Sequence, residues 1–259
     1  MSKSLTRPEV GHNFLASLGK RRLRPGGKEG TEWLLDHLDQ NKPLKVLEVA
    51  CNQGTTTFEL VDKYPIDIVA CDLSEDALNR ARKRAKNHPK KDHIEFRIAD
   101  ARSLPFEDNS FDIVINEAML TMLSDVDKLK ALKEYHRVLK PGGKVLTHDV
   151  LFRTDDKAYQ VKIRKDMTRN ILANVKPLTG VEWESLFTSC GFIVQSKTGP
   201  MSLMDPKGMI KDEGFGGTLK IISNALKLKN RARFKSMFKM FKEYQNDLGF
   251  IVVAGVKKD

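Results

Sequence analysis

The sequence predicts an α/β fold, a doubly wound and mostly parallel sheet covered by helices on both faces. Between positions 44 and 150, short apolar runs rich in Val, Ile and Leu alternate with polar stretches of helix length. The connections between these runs are short, as in a sheet whose strands are buried on both faces. With 259 residues, 40% of them hydrophobic, the chain is long enough to bury one such core.

The first half of the chain contains the predicted sheet. Five runs are predicted as strands: LKVLEVA (44–50), IDIVACD (66–72), HIEFRIAD (93–100), FDIVINE (111–117) and GKVLTHDV (143–150). Helices are predicted at 74–88 and 126–140, between these strands. Ser74 can cap the first of these helices, and the Pro-Gly-Gly after Lys140 is typical of the end of the second.

The remaining segments are predicted as additions to this core. The predicted division is an N-terminal cap segment at 1–42, an α/β core at 43–198 and 248–259, and cap insertions at 151–180 and 199–247. All of these belong to one predicted domain. A helix is expected at 30–38, another at 181–192, and a last strand at 250–257.

Charge and cysteine content indicate the class of partner and the compartment. The net charge is +11, with cations concentrated at 20–28 and 220–242, so an RNA partner or an anionic membrane surface has to be considered. Cys51, Cys71 and Cys190 form no CxxC pair, which predicts buried thiols and no metal site. No apolar run has the length of a membrane span or a signal peptide, and we expect a reducing cytoplasm.

The stretch LEVACNQGTTTFEL (47–60) reads as a strand, a turn and a helix, the arrangement that opens many nucleotide-binding domains. Such turns usually contain two or three glycines, and this one has only Gly54. Ala50 is the smallest replacement for glycine, and Asn52 is one of the few residues that tolerate a positive φ. Taken alone, the stretch fits a cofactor loop and a tight structural turn equally well.

Polar residues stand at the ends of the next three predicted strands. Asp72 ends the second strand, where an acid can accept hydrogen bonds from ribose hydroxyls. It could instead cap the following helix, but Ser74 is better placed to do so. Asp100-Ala101 follows the third strand and could meet an adenine amine and ring nitrogen, and Asn116-Glu117 follows the fourth. In parallel sheets these strand ends meet at one edge, where ligands bind.

The motifs LEVACNQG, ACDLSEDAL, RIADARSLPFEDNSFDIVINEAMLTML and HRVLKPGGKVL together resemble the class I S-adenosylmethionine-dependent methyltransferases. The resemblance covers 44–150 and is closest to the small-molecule group that includes the ubiquinone/menaquinone-biosynthesis enzymes. It implies S-adenosylmethionine as cofactor and a seven-stranded sheet of order 3-2-1-4-5-7-6, with strand seven antiparallel. The cofactor contacts that it implies are Glu48, Ala50, Asn52, Gly54, Asp72, Leu73, Asp100, Ala101 and Asn116. A dehydrogenase would not explain Asp100-Ala101 or LKPGGKVL.

Residues near the methyl acceptor are predicted from position. Methyl transfer from a sulfonium needs positioning, and it needs a base only when the nucleophile arrives protonated. Glu117 follows strand four, and His148 and Asp149 end strand five, so these three are the catalytic candidates. A structural role for His148 is an equally good interpretation. His12 and Arg24 are predicted on the substrate side, in the N-terminal segment.

The acceptor is predicted to be a small molecule. The Asn/Asp-Pro-Pro-aromatic motif of nucleic-acid amino-methyltransferases is absent after strand four, and so is a Pro-Cys nucleophile. The segment 218–244, apolar and basic, is interpreted as a cap helix over the pocket, with a peripheral contact to an anionic membrane or an RNA-facing surface as alternatives. An RNA methyltransferase and a catalytically silent binding protein of the same fold are the alternative functions.

Overall fold

A computed structural model describes residues 10–39 and 42–258. Within these ranges, eight strands form one sheet. The strands are β1 Leu44–Val49, β2 Ile66–Asp72, β3 Ile94–Ile98, β4 Phe111–Glu117, β5 Leu139–Phe152, β6 Leu178–Thr179, β7 Phe192–Pro200 and β8 Leu248–Lys257. The helices are α1 Gly11–Ser17, α2 Gly27–Leu35, α3 Thr55–Lys63, α4 Glu75–Ala85, α5 Asp125–Val138, α6 Lys157–Ile171, α7 Gly180–Ser189, α8 Pro206–Leu226 and α9 Leu228–Glu243.

The sheet order is β3-β2-β1-β4-β5-β8-β7. The strands from β1 to β5 pair in parallel, and β8 runs antiparallel to both β5 and β7. The predicted order and the predicted antiparallel strand are thus confirmed. The predicted number of seven strands is one too few, because two-residue β6 pairs with the end of β5. A strand of two residues is too short to show an alternating pattern in the sequence.

Local signals account for most element boundaries. The Ser74 side chain accepts a hydrogen bond from the Ala77 N–H at 3.2 Å, so Ser74 caps α4 as predicted. The helix α5 ends at Val138, earlier than predicted, because Leu139 already pairs with Phe111 and begins β5. The glycines after Pro141 therefore lie within the long strand, beside the irregularity in its pairing with β4.

Three large apolar clusters hold these layers together. One packs α5 and α7 against one face of the sheet, and a second packs α2 and α3 against the other. The third joins α1, α6, α8 and α9, which we call the cap, and meets the sheet through Val150 and Phe152 at the end of β5 and Leu248 at the start of β8. Each buried Leu, Ile or Phe contributes about 1.5–3 kcal/mol through removal of its surface from water. The cap therefore has an apolar core of its own.

Residues 18–26, which we call the strap, connect α1 to α2 across the top of the sheet. The backbone N–H groups of Arg21 and Arg22 both donate to Glu213 Oε1 at 2.9 Å, and the Lys28 N–H donates to Asp212 Oδ1 at 2.8 Å. Both acids are buried on α8. The strap is thus tied to the cap by hydrogen bonds that use backbone donors. Within the described ranges, no helix combines the length and the apolar character needed to cross a membrane.

Candidate functional site

A cavity of about 710 Å³ lies where the carboxyl ends of the parallel strands meet the strap and the cap. Its lining differs from one half to the other. The polar half is built by the sheet edge and the strap, and includes Glu48, Asn52, Thr56, Asp72, Arg24 and Glu117. The apolar half is built mainly by the cap and includes Leu15, Met119, Met122, Met167, Ile171, Met237 and Phe241. The cavity can hold two ligands of different polarity beside each other.

The loop after β1 forms one wall of the polar half. Ala50, Asn52 and Gly54 have φ values of 61°, 51° and 72°, all in the left-handed region. The expectation that Asn52 tolerates a positive φ is confirmed, and Ala50 adopts the same region in spite of its Cβ. The two replacements therefore keep the backbone path of a glycine-rich turn. The residues of this loop that line the cavity are Ala50, Cys51, Asn52, Gln53, Thr55 and Thr56.

Asp72 ties the second wall to this loop. Its Oδ2 accepts a hydrogen bond from the Asn52 N–H at 2.9 Å, and its Oδ1 accepts one from the Ser74 N–H at 2.8 Å. The carboxylate lines the cavity and stays partly exposed. Each carboxylate oxygen can accept a further bond, so the hydroxyls of a ribose can still be bound there.

Glu48 and Glu117 lie on the same cavity in opposite protonation states. Burial raises the pKa of Glu48 to about 8, and the Thr57 hydroxyl hydrogen-bonds its carboxyl group. Burial acts in the same direction on Glu117, but the charge of Arg24 and hydrogen bonds from its neighbours lower the pKa of Glu117 to about 2. At neutral pH the site therefore holds one neutral carboxyl group and one carboxylate.

Arg24 and Glu117 are the centre of a buried hydrogen-bond network. Arg24 Nε lies 2.7 Å from Glu117 Oε2, and the Arg24 guanidinium also donates to the hydroxyls of Thr31 and Thr56. Both hydroxyls in turn donate to Glu117, at 2.7 and 2.8 Å. The network joins the strap, α2, α3 and the end of β4. It brings the predicted Arg24 and Glu117 together on the cavity wall.

The other catalytic candidates lie behind this wall, outside the cavity lining. His148 is fully buried; its Nε2 accepts a hydrogen bond from the Gly26 N–H at 2.9 Å, and its Nδ1 lies 3.5 Å from Glu117 Oε1. Asp149 is also fully buried and accepts hydrogen bonds from the N–H groups of Thr121 and Val150. Both residues support the strap and the turn after β4, and their catalytic roles stay predictions.

The predicted adenine side is less open. Asp100 is bound by the Arg102 guanidinium through both of its carboxylate oxygens, and this ion pair lowers the pKa of Asp100. Ala101 is buried, and Leu73 is 66% exposed. Asn116 is buried and donates to the Thr147 hydroxyl at 2.8 Å. Neither these four residues nor Gly54 line the cavity, and their contacts to a cofactor stay predictions.

The cavity lining includes one further predicted residue and several that sequence reasoning missed. His12, predicted on the substrate side, lines it from α1. Thr121 was not predicted, yet its buried hydroxyl lies on the cavity and has no hydrogen-bond partner within the described part of the chain. The apolar residues of α6 were also missed, although Ile163, Met167 and Ile171 have the four-residue spacing of a buried helix face.

The polar half fits the cofactor that the sequence resemblance implies. The loop backbone from Ala50 to Thr56 offers close approach, and Asp72 offers acceptors for ribose hydroxyls. The neutral Glu48 and the ionised Glu117 are, with Asp72, the acidic groups that line that half. These residues would hold S-adenosylmethionine, with the apolar half left for a second molecule.

Comparisons with known proteins agree with this fit. Residues 46–143 match the family model described as a methyltransferase domain. The ubiquinone/menaquinone biosynthesis C-methyltransferase UbiE of Rickettsia prowazekii is 30% identical over 208 residues, which cover 78% of each chain. An uncharacterized protein of Haemophilus influenzae is 49% identical over 254 residues, 98% of this chain and 100% of that protein.

Other relatives are longer, and the match to them is partial. This chain spans only 26% of Phosphoethanolamine N-methyltransferase 3 of Arabidopsis thaliana, at 34% identity. For the fold, a putative sarcosine dimethylglycine methyltransferase from Galdieria sulphuraria superposes with a TM-score of 0.75 at 18% identity, over 96% of this chain and 98% of that one. Family model, full-length relative and fold agree: the chain belongs to the S-adenosylmethionine-dependent methyltransferases and is an enzyme that uses this cofactor.

Proposed function

We propose that the enzyme methylates an apolar small molecule that binds in the apolar half of the cavity. The observation that carries this proposal is the lining itself, in which methionine, leucine and isoleucine side chains of the cap face the cofactor half. A methionine-rich wall adapts to irregular apolar ligands. The UbiE relative, named for quinone biosynthesis, is a C-methyltransferase, which supports an acceptor of this class.

The residues of the chain contribute positioning and exclusion of water. S-adenosylmethionine supplies a methyl group on a sulfonium, which is already electrophilic. The strap and cap cover the sheet edge, so an acceptor in the apolar half is desolvated and held against the polar half. The Arg24–Glu117 network keeps the strap in place over β4. Because the pKa of Glu117 is about 2, this carboxylate is a weak base and serves better as an electrostatic group.

The acceptor class can be tested by transfer of a labelled methyl group. The purified enzyme is incubated with labelled S-adenosylmethionine and a cell extract, which is then separated into RNA, protein, lipid and small-molecule fractions. We expect label in the fractions that partition into organic solvent. Label in RNA alone would overturn the small-molecule proposal in favour of an RNA methyltransferase.

Calorimetry tests whether the protein binds S-adenosylmethionine, which methyl transfer requires. Asp72→Ala should weaken binding about 10-fold or more, since hydrogen bonds to a charged group are worth about 1.5–3 kcal/mol. The matched variant is Asp76→Ala, in the first turn of α4 and outside the cavity lining; it should bind like the wild type. No saturable binding by the wild type would favour the catalytically silent binding protein.

A further inference from the structure

The exposed face of α8 has an apolar stripe that the cavity and the cap core leave unused. Phe215, Leu219, Ile222 and Leu226 follow each other at steps of four, three and four residues, and they are 69%, 52%, 38% and 65% exposed. Residues with this spacing share one face of a helix. Leu228, at the start of α9, is 93% exposed and continues the patch. Single exposed apolar residues are ordinary on a protein surface, but a continuous helical stripe marks an interaction site.

The packing of α8 does not need the stripe, because other residues of the helix form its buried face. Thr218, Ile221 and Ala225 form the buried face of α8, and the last two pack in the cap core. The interpretation of the segment 218–244 as a cap helix over the pocket therefore accounts for this buried face and leaves the stripe unexplained. The stripe lies beside the buried face and has no role in the packing of α8.

The charge around the stripe limits what can bind there. From Gly214 to Lys242 the chain contains eight Lys or Arg residues and no Asp or Glu. Lys227 and Lys229 flank the end of the stripe, and both are exposed. An apolar stripe with lysines at its border is the pattern of a helix that lies in the interface of an anionic bilayer, where apolar side chains enter the acyl region and lysines meet phosphates.

The stripe is also next to the entrance of the cavity. Lys220, which directly follows Leu219, is exposed and also lines the cavity. Met237 and Phe241 of α9 line the cavity as well. The strap reaches the same place, because Gly19 lies beside the Lys220 and Ile221 side chains. A surface bound through the stripe would thus face the route by which an apolar molecule enters.

We propose that the α8 stripe and its flanking lysines dock the enzyme peripherally on an anionic lipid surface, with the cavity entrance facing the lipid. Apolar burial and attraction to anionic headgroups add together in this mode of binding. The proposal concerns lipid binding and does not depend on the identity of the methyl acceptor. Its orientation deepens the proposed function, because an apolar acceptor could then enter the cavity from the bilayer.

Sedimentation with vesicles tests the docking. The full chain is mixed with phosphatidylcholine vesicles that contain or lack phosphatidylglycerol. We expect binding to the anionic vesicles and at least about 10-fold weaker partitioning to the neutral ones, since each Lys near an anionic surface contributes about 1 kcal/mol. High salt should release the protein, because screening weakens the attraction of the lysines. Equal binding to both vesicle types, or to neither, would overturn the proposal.

Matched variants locate the contact. Phe215→Ser/Leu219→Ser/Leu226→Ser should lose vesicle binding by about 10-fold or more. The control is Val126→Ser/Val181→Ser/Ile193→Ser, three residues of similar exposure on α5, α7 and β7. Lys227→Glu/Lys229→Glu should also lose binding, and Lys83→Glu/Lys86→Glu at the C-terminal end of α4 should not. Equal binding of the stripe variant and its control would assign the lipid contact to another surface and refute the proposal.

Two measurements test whether a second copy of the chain or RNA, and not lipid, binds to the stripe. Analytical ultracentrifugation without lipid asks whether a second copy covers it: a wild-type dimer that becomes a monomer in the stripe variant would overturn lipid docking. RNA binding that depends on Lys227 and Lys229, without vesicle binding, would also overturn it. Unchanged S-adenosylmethionine affinity and thermal stability of the stripe variant show that it folds. Methyl transfer is measured separately, so failure of the docking proposal leaves the proposed function untouched.

Discussion

At the scale of single residues, the loop after β1 shows how a turn can keep its path with fewer glycines. Ala50 has a φ of 61°, where an L-residue with a Cβ is strained by about 1–2 kcal/mol. Glycine at this position would remove the strain but lose some conformational entropy on folding. We expect Ala50→Gly to stabilise the protein by about 0.5–1 kcal/mol in urea unfolding.

Substitution of Gly54 is expected to change stability in the opposite direction. Its φ is 72°, and a Cβ there would lie 3.1 Å from the Phe58 ring. We expect Gly54→Ala to destabilise the protein by about 1–2 kcal/mol, from backbone strain and crowding together. If Ala50→Gly destabilises the protein as much as Gly54→Ala does, the positive φ of Ala50 is not the source of strain.

The raised pKa of Glu48 predicts a pH dependence. Its value is 4.5 for an ordinary glutamate and about 8 in the folded protein, so the folded state binds the proton more tightly. The contribution of Glu48 to stability is therefore complete below pH 4.5 and is lost as the pH rises to about 8. Glu48→Gln lacks this titration. Its stability relative to the wild type should rise across this window by roughly 3–5 kcal/mol.

Urea unfolding at several pH values measures this difference, with Glu107→Gln as the matched control. Glu107 is exposed, and its variant should follow the wild type at every pH. A constant difference between Glu48→Gln and the wild type would show that Glu48 titrates normally in the folded protein.

Substitution of Thr121 is expected to raise stability and lower activity. Its buried hydroxyl lacks a partner among the described residues, and such a group costs about 1–3 kcal/mol. Thr121→Val should therefore stabilise the free enzyme by about 1 kcal/mol. If the hydroxyl positions the acceptor, the same variant should lower the initial rate of labelled-methyl transfer into extract about 10-fold. Thr121→Ser should retain the rate, and S-adenosylmethionine affinity should stay unchanged in both variants. A Thr121→Val enzyme with wild-type activity would exclude the positioning role.

At the scale of elements, the first half of the strap is hydrogen-bonded to α8. Glu213 accepts from the N–H groups of Arg21 and Arg22, and Arg22 also pairs with Glu59 of α3. Glu213→Ala leaves the two strap amides without their acceptor. We expect trypsin to cut this variant at least about 10-fold faster after Lys20, Arg21 or Arg22, because cleavage requires local opening.

Mass spectrometry of the fragments identifies the cut sites. The control is Lys211→Ala, an exposed α8 residue that makes only a surface ion pair with Glu29 at 3.6 Å. Equal cleavage rates at the strap in Glu213→Ala and Lys211→Ala would show that the strap is held by other contacts.

The elements also show what a sequence can and cannot predict. Strands β1, β2, β4 and the second half of β5 were predicted because buried parallel strands are continuous apolar runs. Asp72 was predicted because an acid at the end of the second strand can accept hydrogen bonds from ribose hydroxyls. Helix α6 was not predicted, since its many charges hide three apolar residues, and neither was Thr121, which reaches the cavity only because the cap covers it. Proximity that depends on how two layers pack leaves no local pattern.

At the scale of the whole molecule, the structure shows where the cations behind the net charge of +11 are concentrated. The segment from Gly214 to Lys242 carries eight of the cations and none of the acids, and it belongs to α8 and α9 of the cap. The cavity wall at the sheet edge instead combines the acids Glu48, Asp72 and Glu117 with Arg24 of the strap. The positive charge of this part of the cap is therefore not balanced by acids in the same segment.

Because the cap has an apolar core of its own, we expect it to open independently of the sheet. Among the described residues buried in the cap cluster, Val150 and Phe152 of β5 and Leu248 of β8 belong to the sheet. We expect the amides of α1, α6, α8 and α9 to exchange hydrogen at a lower opening free energy than those of β1, β4 and β5. Native-state hydrogen exchange in dilute denaturant measures this. A single opening free energy for cap and sheet would contradict it.

A cap that opens while the sheet stays folded has a consequence for turnover. If both ligands bind in the cavity behind one strap, as proposed, both products leave through the same local opening. The rate of that opening is then the ceiling for kcat, whatever the speed of the chemical step. Substitutions that loosen the cap core, such as Met240→Ala, could make the enzyme less stable and faster at the same time.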